Sequence, residues 1–373
     1  MTVWLHANCM PMLANRSARR SSDPEAVENI TTLGMLTYQA LSGTFLTSTF
    51  YKVGTVPCSF QPPQDDKLFK MATYTRDQIS HYLQHIGYTQ DVNQHFAEDP
   101  LGLLTRIQIL HMARVPFESL SLHYSKYRTL SLNPEDLFVK IVNRGRGGYC
   151  MEVNAFFAAV LRSLGFTLFS TGGRVRGDAG YKGWDHMVNI VTIDNQRYLV
   201  DVGFGTNGAT RPVPLQHEHR FLTVFPTEGM LEYRGIDANT DPNQKVWVYS
   251  VRQKEDDPWG EMYCFGELEF IPGDFEVMNM RTSSAPQSFF VQSVMCMKTR
   301  LDEGKQDPVG KVILHRDYIK QQNGNEAPTT TRLLSEADRV EALKRYFDIS
   351  LTLEEQQGIK GLASELKDRS KHA

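Results

Sequence analysis

The sequence lacks long hydrophobic runs and has little net charge. Its 373 residues carry a formal charge of -3, so attraction to nucleic acid or to an anionic membrane surface is not indicated. No apolar run approaches the roughly 18 residues that a membrane-spanning helix needs. We therefore expect neither nucleic acid nor a membrane among its partners.

Cysteine is scarce and shows no pairing pattern. The five cysteines form no CxxC motif and lie far apart, at Cys9, Cys58, Cys150, Cys264 and Cys296. An odd, scattered set indicates neither a disulfide framework nor a zinc site, so no metal is predicted. Such cysteine usage is typical of a reducing compartment, which predicts a cytoplasmic protein.

The apolar pattern divides the chain into four segments. Residues 1–70 show little periodicity and are interpreted as a disordered extension or a gene-model artefact, with Met71 as an alternative start. Residues 71–165 predict a small helical bundle. Over residues 166–285 the period changes to two, which predicts the strands of a sandwich or barrel. Residues 286–373 mix strand and helix and end in a polar tail that is expected to fray.

Capping residues, breakers and periodicity set the expected element bounds. Helices are predicted to begin at Thr75, Leu101, Asn133, Cys150 and Ser335, with capping boxes at Thr75 and Ser335. Strands are predicted over 167–176, 187–193, 197–202, 246–252, 263–271 and 311–319, and a long loop over 217–244.

A glycine-rich loop runs directly into a helical pattern at Cys150. The free N–H groups and the positive dipole end of a helix favour a thiolate in its first turn. Arg146 adds positive charge nearby, and Glu152 is expected to pair with Arg146 or Arg144. The alternative is that Cys150 is a small buried hydrophobic residue, as most free cysteines are.

His186 opens one predicted strand and Asp201 closes the next. A two-residue turn at Asp194–Asn195 would make His186 the diagonal neighbour of Asp201 on one face of the sheet. A register slip of one residue would place them on opposite faces. A His held by a carboxylate, together with a reactive Cys, is the arrangement of acyl-transfer enzymes. A plain structural Asp–His pair is the alternative.

Taken together, several stretches resemble the arylamine N-acetyltransferase family of the fungal or eukaryotic type. They are RGGYCMEVN at 146–154, His186, DVGFG at 201–205, VPFESLS at 115–121, and the MN and S-x-P-x-S-x-F patterns within 275–296. All occur in the family's order, and the resemblance covers roughly residues 71–350. Ser119 replaces the usual Asn.

The resemblance implies an α+β protein with an N-terminal helical bundle, a central antiparallel β-barrel and a C-terminal α/β lid over residues 286–373, around a cysteine-protease-like catalytic core. It implies ping-pong transfer of an acetyl, propionyl or malonyl group from acyl-CoA, through a Cys150 thioester, to an arylamine, arylhydroxylamine or hydrazine, as in xenobiotic metabolism. Acyl-CoA is then a co-substrate, and no cofactor is bound permanently. The oligomeric state is open, and a monomer is compatible with it.

Site residues carried over by position fall into three groups. The catalytic ones are Cys150, His186 and Asp201; those expected at the coenzyme are Lys182, Gly183, Ser284 and Ser288; those expected at the substrate are Trp184, Asp185, Phe204 and Phe117. A turn lysine at 182 and a core role for Phe117 are equally compatible with the sequence. Arg174 or Arg176 would favour a malonyl carboxylate, unless they are simply exposed.

Two other functions share the order of these residues. One is a transglutaminase- or papain-like Cys-His-Asp hydrolase. The other is a non-catalytic paralogue that only binds the ligands. Retention of an acyl group on Cys150 discriminates the first from an acyltransferase, and the effect of replacing Cys150 discriminates the second.

Overall fold

A computed structural model describes residues 72–303, 307–324 and 326–368. The interpretation of residues 1–70 falls outside this range. Within it, no helix combines the length and the apolar character that crossing a membrane requires.

The helices that the structure describes are α1 (Arg76–Ile86), α2 (Val92–Glu98), α3 (Pro100–Arg114), α4 (Ser121–Tyr124), α5 (Pro134–Phe138), α6 (Cys150–Ser163), α7 (Pro272–Ser284), α8 (Phe289–Gln292), α9 (Glu336–Phe347) and α10 (Leu353–Gly358). A π-helical turn, Val139–Asn143, follows α5, and a 3₁₀ turn covers Gly205–Asn207.

The strands are β1 (Phe117–Glu118), β2 (Thr167–Gly177), β3 (Gly180–Tyr181), β4 (His186–Ile193), β5 (Gln196–Val200), β6 (Val213–Pro214), β7 (His219–Leu222), β8 (Glu228–Arg234), β9 (Val246–Arg252), β10 (Gly260–Phe265), β11 (Met295–Leu301), β12 (Pro308–His315), β13 (Tyr318–Asn323) and β14 (Thr329–Arg332). They form a nine-stranded sheet in the order β6-β5-β4-β2-β10-β9-β8-β7, with β3 paired to β2, and a five-stranded sheet in the order β1-β11-β12-β13-β14.

The larger sheet curls around an apolar interior. One buried cluster draws side chains from Val213 near one end of the strand order and from Leu231 near the other, with Val188, Tyr249 and Phe265 between them. Because one core collects residues from most of the strands, the sheet is a nearly closed barrel. The molecule thus mixes helices with sheets, as expected, and the strand pairing is antiparallel.

Local helix signals are confirmed at their starts and ends. Thr75 Oγ1 accepts from the Gln78 N–H at 3.2 Å, and Gln78 Oε1 accepts from the Thr75 N–H at 2.9 Å, which is a complete capping box. Ser335 opens α9 in the same way. Gly165, with φ 95°, follows the end of α6 in the left-handed region that glycine tolerates. Helix α2 was not predicted.

Three predictions in the second half are wrong. Residues 217–244 are not one long loop, because β7 and β8 form a hairpin there that pairs with β9. The strand expected over 263–271 ends at Phe265, and α7 begins at Pro272. The strand expected over 311–319 is split, because Arg316, with φ 52°, lies in a tight turn between β12 and β13.

The predicted fraying of the tail is also wrong as far as Asp368. Ile359 is 0% exposed and belongs to the core beneath the smaller sheet. Arg339 donates to Ser364 O at 2.9 Å, and the Ser364 hydroxyl bonds to His123 Nδ1 at 2.8 Å. The segment after α9 is therefore held by buried contacts, which its polar composition conceals.

Buried His111 makes acid sensitivity of the fold testable. Burial lowers its pKa to about 3, whereas an unfolded histidine titrates near 6.5. Below pH 6.5 the unfolded chain takes up a proton that the folded chain refuses, so stability falls by up to about 1.4 kcal/mol per pH unit. Replacing both partners of its bond, His111→Phe with Tyr82→Phe, should flatten the dependence of unfolding free energy on pH between 6.5 and 4.5. His81→Gln, at an exposed position, should keep the wild-type slope; equal slopes in all three proteins would contradict the assignment.

Candidate active site

The glycine loop before Cys150 is clamped by the short strand β1. Gly148 donates to Pro116 O at 3.3 Å and accepts from the Glu118 N–H at 2.9 Å. A Cβ on Gly147 would lie 1.7 Å from Pro116 O, so only glycine permits this approach. The two stretches that carry the resemblance, 115–121 and 146–154, are thus in direct contact.

Buried ion pairs hold the glycine loop in place. Arg146 is 3% exposed and pairs with Glu118 at 3.0 Å and with Glu355 of α10 at 3.4 Å. Burial alone would raise the pKa of Glu118, but Arg146 and Lys140 outweigh it and hold that pKa below its usual range. The expected pairing of Glu152 with Arg146 or Arg144 is wrong, since Glu152 pairs with Lys140 at 2.6 Å.

Cys150 is the first residue of α6, with Tyr149 as its N-cap. Glu152 accepts from the Tyr149 N–H at 3.2 Å, so one free amide of the helix start is satisfied. Cys150 is buried, and its Sγ lies 3.7 Å from the carbonyl oxygen of Asp185. The thiol therefore sits at the positive end of a helix and against the residue that precedes His186.

His186 and Asp201 form a buried pair. The hairpin turn has the predicted register, because Asp194 and Asn195 both have positive φ (49° and 64°) and Ile193 faces Gln196. His186 Nε2 lies 2.7 Å from Asp201 Oδ2, and both residues are at most 1% exposed. This contact uses Nε2, and the His186 side chain also has a hydrogen-bonding contact with Cys150.

The electrostatics of the pair favour the charged forms. Burial alone would lower the pKa of His186, but Asp201, aided by a hydrogen-bonding contact with Cys150, outweighs burial and raises it to about 10. Burial likewise opposes the ionised form of Asp201, yet His186, Asn154 and the Gly203 N–H hold the pKa of Asp201 below its usual range. A neutral imidazole whose charged form is stabilised in this way is a stronger base for a proton from a neighbouring group.

Aromatic rings border the imidazole. The ring of His186 lies 5.2 Å from that of Phe204 and 4.8 Å from that of Tyr263, centroid to centroid. Phe290 meets Tyr149 edge to face at 5.2 Å and Phe117 at 6.0 Å, and both phenylalanines pack against the cluster that contains Cys150. Phe204 and Phe117 are half-buried, so flat apolar surface is offered close to the sulfur.

The residues predicted at the coenzyme do not form one cluster of contacts. Lys182 and Gly183 are exposed in the turn before β4. Ser284 is exposed on α7 and bonds to Met280 O, while the half-buried Ser288 donates to Thr282 O at 2.6 Å. Both hydroxyls therefore have partners within their own segment.

The two residues predicted at the substrate before His186 have different surroundings. Trp184 is 37% exposed and its ring meets Phe270 at 5.3 Å. Asp185 accepts from the Val175 N–H at 2.9 Å. The Asp185 backbone, through its carbonyl, is the part that contacts Cys150.

Sequence reasoning assigned no role to Asn154 or Tyr263. Asn154 lies one turn after Cys150 on α6, and its Nδ2 donates to Asp201 Oδ1 at 2.9 Å. That i, i+4 spacing was an available signal, since both side chains share a helix face. Tyr263 comes from β10, far along the chain, and only the folded sheet brings it beside His186.

Comparison with known proteins identifies relatives over most of the chain. A family model described as N-acetyltransferase matches residues 100–356. "N-malonyltransferase FDB2" of Fusarium pseudograminearum is 38% identical over 71% of this chain and 83% of its own length. "Arylamine N-acetyltransferase 1" of Homo sapiens is 30% identical over 73% of this chain and 94% of its own length. The resemblance found in the sequence is confirmed.

A solved structure has a similar fold. The arylamine N-acetyltransferase of Mycobacterium marinum in complex with CoA superposes with a TM-score of 0.62 at 25% identity, covering 75% of this chain and 98% of that chain. The mixed helix and sheet architecture is therefore shared with this group of proteins.

The close approach at Gly203 predicts a sharp steric effect. A Cβ there would lie 2.7 Å from Asn154 Nδ2 and 2.8 Å from Cys150 Cα. Gly203→Ala should therefore displace the start of α6, lower the unfolding free energy by about 1–3 kcal/mol, and slow iodoacetamide labelling of Cys150, followed by peptide mass spectrometry. Gly273→Ala, where a Cβ meets no atom within 4 Å, is the matched control. If the two variants label at the same rate, the packing argument is wrong.

Proposed function

This chain belongs to the arylamine N-acetyltransferase family, and from that premise we propose that it moves an acyl group from acyl-CoA to an arylamine nitrogen through a thioester on Cys150. It is an acyltransferase, and acyl-CoA is its co-substrate. The names of its relatives include both acetyl and malonyl transfer, so both groups are donors to consider. The observation that carries the assignment to Cys150 is the buried His186–Asp201 pair, with its 2.7 Å contact, whose imidazole has a hydrogen-bonding contact with Cys150.

In the first half-reaction, the thiolate of Cys150 attacks the thioester carbonyl of acyl-CoA. A new carbon–sulfur bond forms to Cys150 and the bond to the CoA sulfur breaks. The departing CoA thiolate takes the proton from the His186 imidazolium, which leaves neutral His186 and an acyl-Cys150.

In the second half-reaction, the amine nitrogen attacks the acyl-Cys150. Neutral His186 accepts the proton that the nitrogen loses, while Asp201 holds the ring in place and stabilises its charge. The amide departs and the thiolate–imidazolium pair is restored. The backbone N–H of Cys150, in the first turn of α6, is a donor for the developing oxyanion in both steps.

The aromatic border supports an aromatic acceptor. The half-buried rings of Phe204, beside His186, and of Phe117, beside the cluster of Cys150, offer flat apolar surface, and an arylamine ring would stack there at little cost in desolvation. Arylhydroxylamines and hydrazines with an aryl group meet the same requirement. Trp184 and Asp185 would border the entrance, with Lys182, Gly183, Ser284 and Ser288 toward the coenzyme.

We further propose a helical bundle over residues 71–165, a barrel over 166–285, an α/β lid over 286–373, a cytoplasmic location, and a monomer as the working unit. The free buried cysteines at 150, 264 and 296 are compatible with a reducing compartment.

Acyl retention on Cys150 tests the function directly. Incubation with acetyl-CoA or malonyl-CoA, followed by acid quenching and peptide mass spectrometry, should show the acyl mass on Cys150. Adding an aminophenol should remove it and yield the N-acyl product. Cys150→Ser should lose both signals. Release of the acyl group to water without amine would favour a hydrolase, and full turnover by Cys150→Ser would favour a non-catalytic role for Cys150.

The acylation rate should depend on the charge of His186. Its pKa is raised to about 10, so the imidazolium persists at neutral pH and is lost as pH rises through 10. In Asp201→Asn the main force that raises this pKa is gone, and the high-pH fall should move down by several units. Stopped-flow acylation from pH 5 to 11 measures this, with Asp237→Asn at an exposed ion pair as the control. Coincident profiles for both variants would contradict the role of Asp201.

A further inference from the structure

We propose that Arg174 forms a carboxylate subsite, which makes a thioester of a dicarboxylic acid, such as malonyl-CoA, the preferred donor. The inference rests on the proposed function, because it assigns a donor class to the same reaction site. It begins from a cation on β2 for which the part of the chain that the structure describes supplies no ion pair.

The guanidinium of Arg174 is held but not neutralised. Its Cζ lies 4.1 Å from the ring centroid of Trp184, and the residue is half-buried. Stacking on the ring face fixes the guanidinium plane and leaves its N–H edge available for a carboxylate with two parallel hydrogen bonds. Across residues 72–303, 307–324 and 326–368, no carboxylate forms an ion pair with Arg174.

Arg176, two residues along the same strand, provides the contrast. It faces the same side of β2 and stacks on Tyr181 at 5.0 Å. Its charge, however, is matched by Asp237 at 3.1 Å and by Glu261 at 3.5 Å. Of two neighbouring arginines with similar aromatic support, one is saturated with acidic partners and the other has none in the described chain.

Strand parity places Arg174 on the side of Met187. Gly173 pairs with His186 and Gly172 with Met187, and successive residues of a strand face opposite sides. Arg174 therefore shares its side with Gly172 and Met187. Met187 and Cys150 belong to one apolar cluster, so the sulfur adjoins this side of the sheet, whereas His186 lies on the opposite side with Gly173.

Trp184 links the arginine to that cluster. Its ring meets Phe270 edge to face at 5.3 Å, and Phe270 packs against the cluster that contains Cys150. The next residue, Asp185, has its carbonyl oxygen 3.7 Å from Sγ. The residue that contacts the sulfur, Asp185, thus directly follows the residue whose ring stacks on Arg174, Trp184.

The carboxylate of Asp185 would repel an anionic donor if it were unopposed. It accepts from the Val175 N–H at 2.9 Å, and Lys182, His186 and Arg281 supply positive charge around it. Burial raises the pKa of Asp185, and these groups oppose that shift without outweighing it. They reduce the repulsion that an anionic donor would meet, and Arg174 is a cation without an ion pair in the described chain.

Donor chemistry follows from this arrangement. Malonyl and propionyl groups are of similar size and differ by a carboxylate in place of a methyl group. With Arg174 half-buried, a carboxylate gains charge-assisted hydrogen bonds that a methyl group cannot make. Because malonyl-, propionyl- and acetyl-CoA share the same coenzyme, ratios among them cancel every contact with CoA itself.

The test compares kcat/KM for these three donors with one arylamine, in wild type and variants. Wild type should prefer malonyl-CoA. Arg174→Met should lower kcat/KM for malonyl-CoA about ten-fold or more, with changes within two-fold for propionyl- and acetyl-CoA. Arg174→Lys keeps the positive charge but loses the planar guanidinium that makes two parallel hydrogen bonds. Its kcat/KM for malonyl-CoA should lie between those of wild type and Arg174→Met. Arg176→Met should leave the donor ratios unchanged.

The kcat/KM for acetyl-CoA in each variant shows whether that variant is folded and still carries out the reaction. An equal loss for all three donors in Arg174→Met, or an unchanged malonyl-to-propionyl ratio, would overturn the subsite. A wild type that acylates Cys150 from acetyl-CoA but discriminates against malonyl-CoA would also overturn it, while the proposed function stands. Failure of every donor to acylate Cys150 would remove the proposed function, and the subsite with it.

Discussion

The geometry of the site depends on one buried amide, the side chain of Asn154. Its Nδ2 donates to Asp201 Oδ1 at 2.9 Å and to Met187 O at 2.8 Å, and its Oδ1 accepts from the Val202 N–H at 3.0 Å. Asn154 lies on α6 with Cys150, whereas its partners lie on β4 and at the end of β5. The amide therefore sets the distance between the nucleophile and the pair that serves it. Each buried partner left unpaired would cost about 1–3 kcal/mol, so the position of α6 relative to β4 and β5 is strongly held.

Charge, rather than apolar packing, shapes the backbone just before the nucleophile. Glu118, Arg146 and Glu152 are each at most 3% exposed, and their ion pairs connect β1, the glycine loop and the first turn of α6. Burying such groups costs solvation, and the pairing offsets that cost only while every partner is present. A loop fixed in this way gains little stability but has few alternative shapes. That property suits a position where the sulfur must meet an imidazole.

Features that depend on neighbouring residues, such as turns and helix caps, were predicted correctly from the sequence. The wrong predictions concern features that depend on contacts between distant parts of the chain. The turn at Asp194–Asn195 requires positive φ, which Asn tolerates, and it correctly set the strand register that brings His186 to Asp201. The hairpin of β7 and β8 was missed because its pairing with β9 compensates for weak alternation. The partner of Glu152 is Lys140 rather than an arginine, because a π-helical turn carries Lys140 there. The position of Tyr263 beside His186 could not be predicted, because it depends on how distant strands pair in the folded sheet.

The ion pairs of Glu355 have a consequence for how the protein is made. This carboxylate, from α10, pairs with Arg144 and Arg146 of the glycine loop, so a late part of the chain completes the support of a much earlier one. During synthesis, the segment around Cys150 leaves the ribosome long before residue 355 does. The nascent chain thus carries Cys150 without these two ion pairs until α10 has been synthesised, so the support of the glycine loop is completed only late in synthesis.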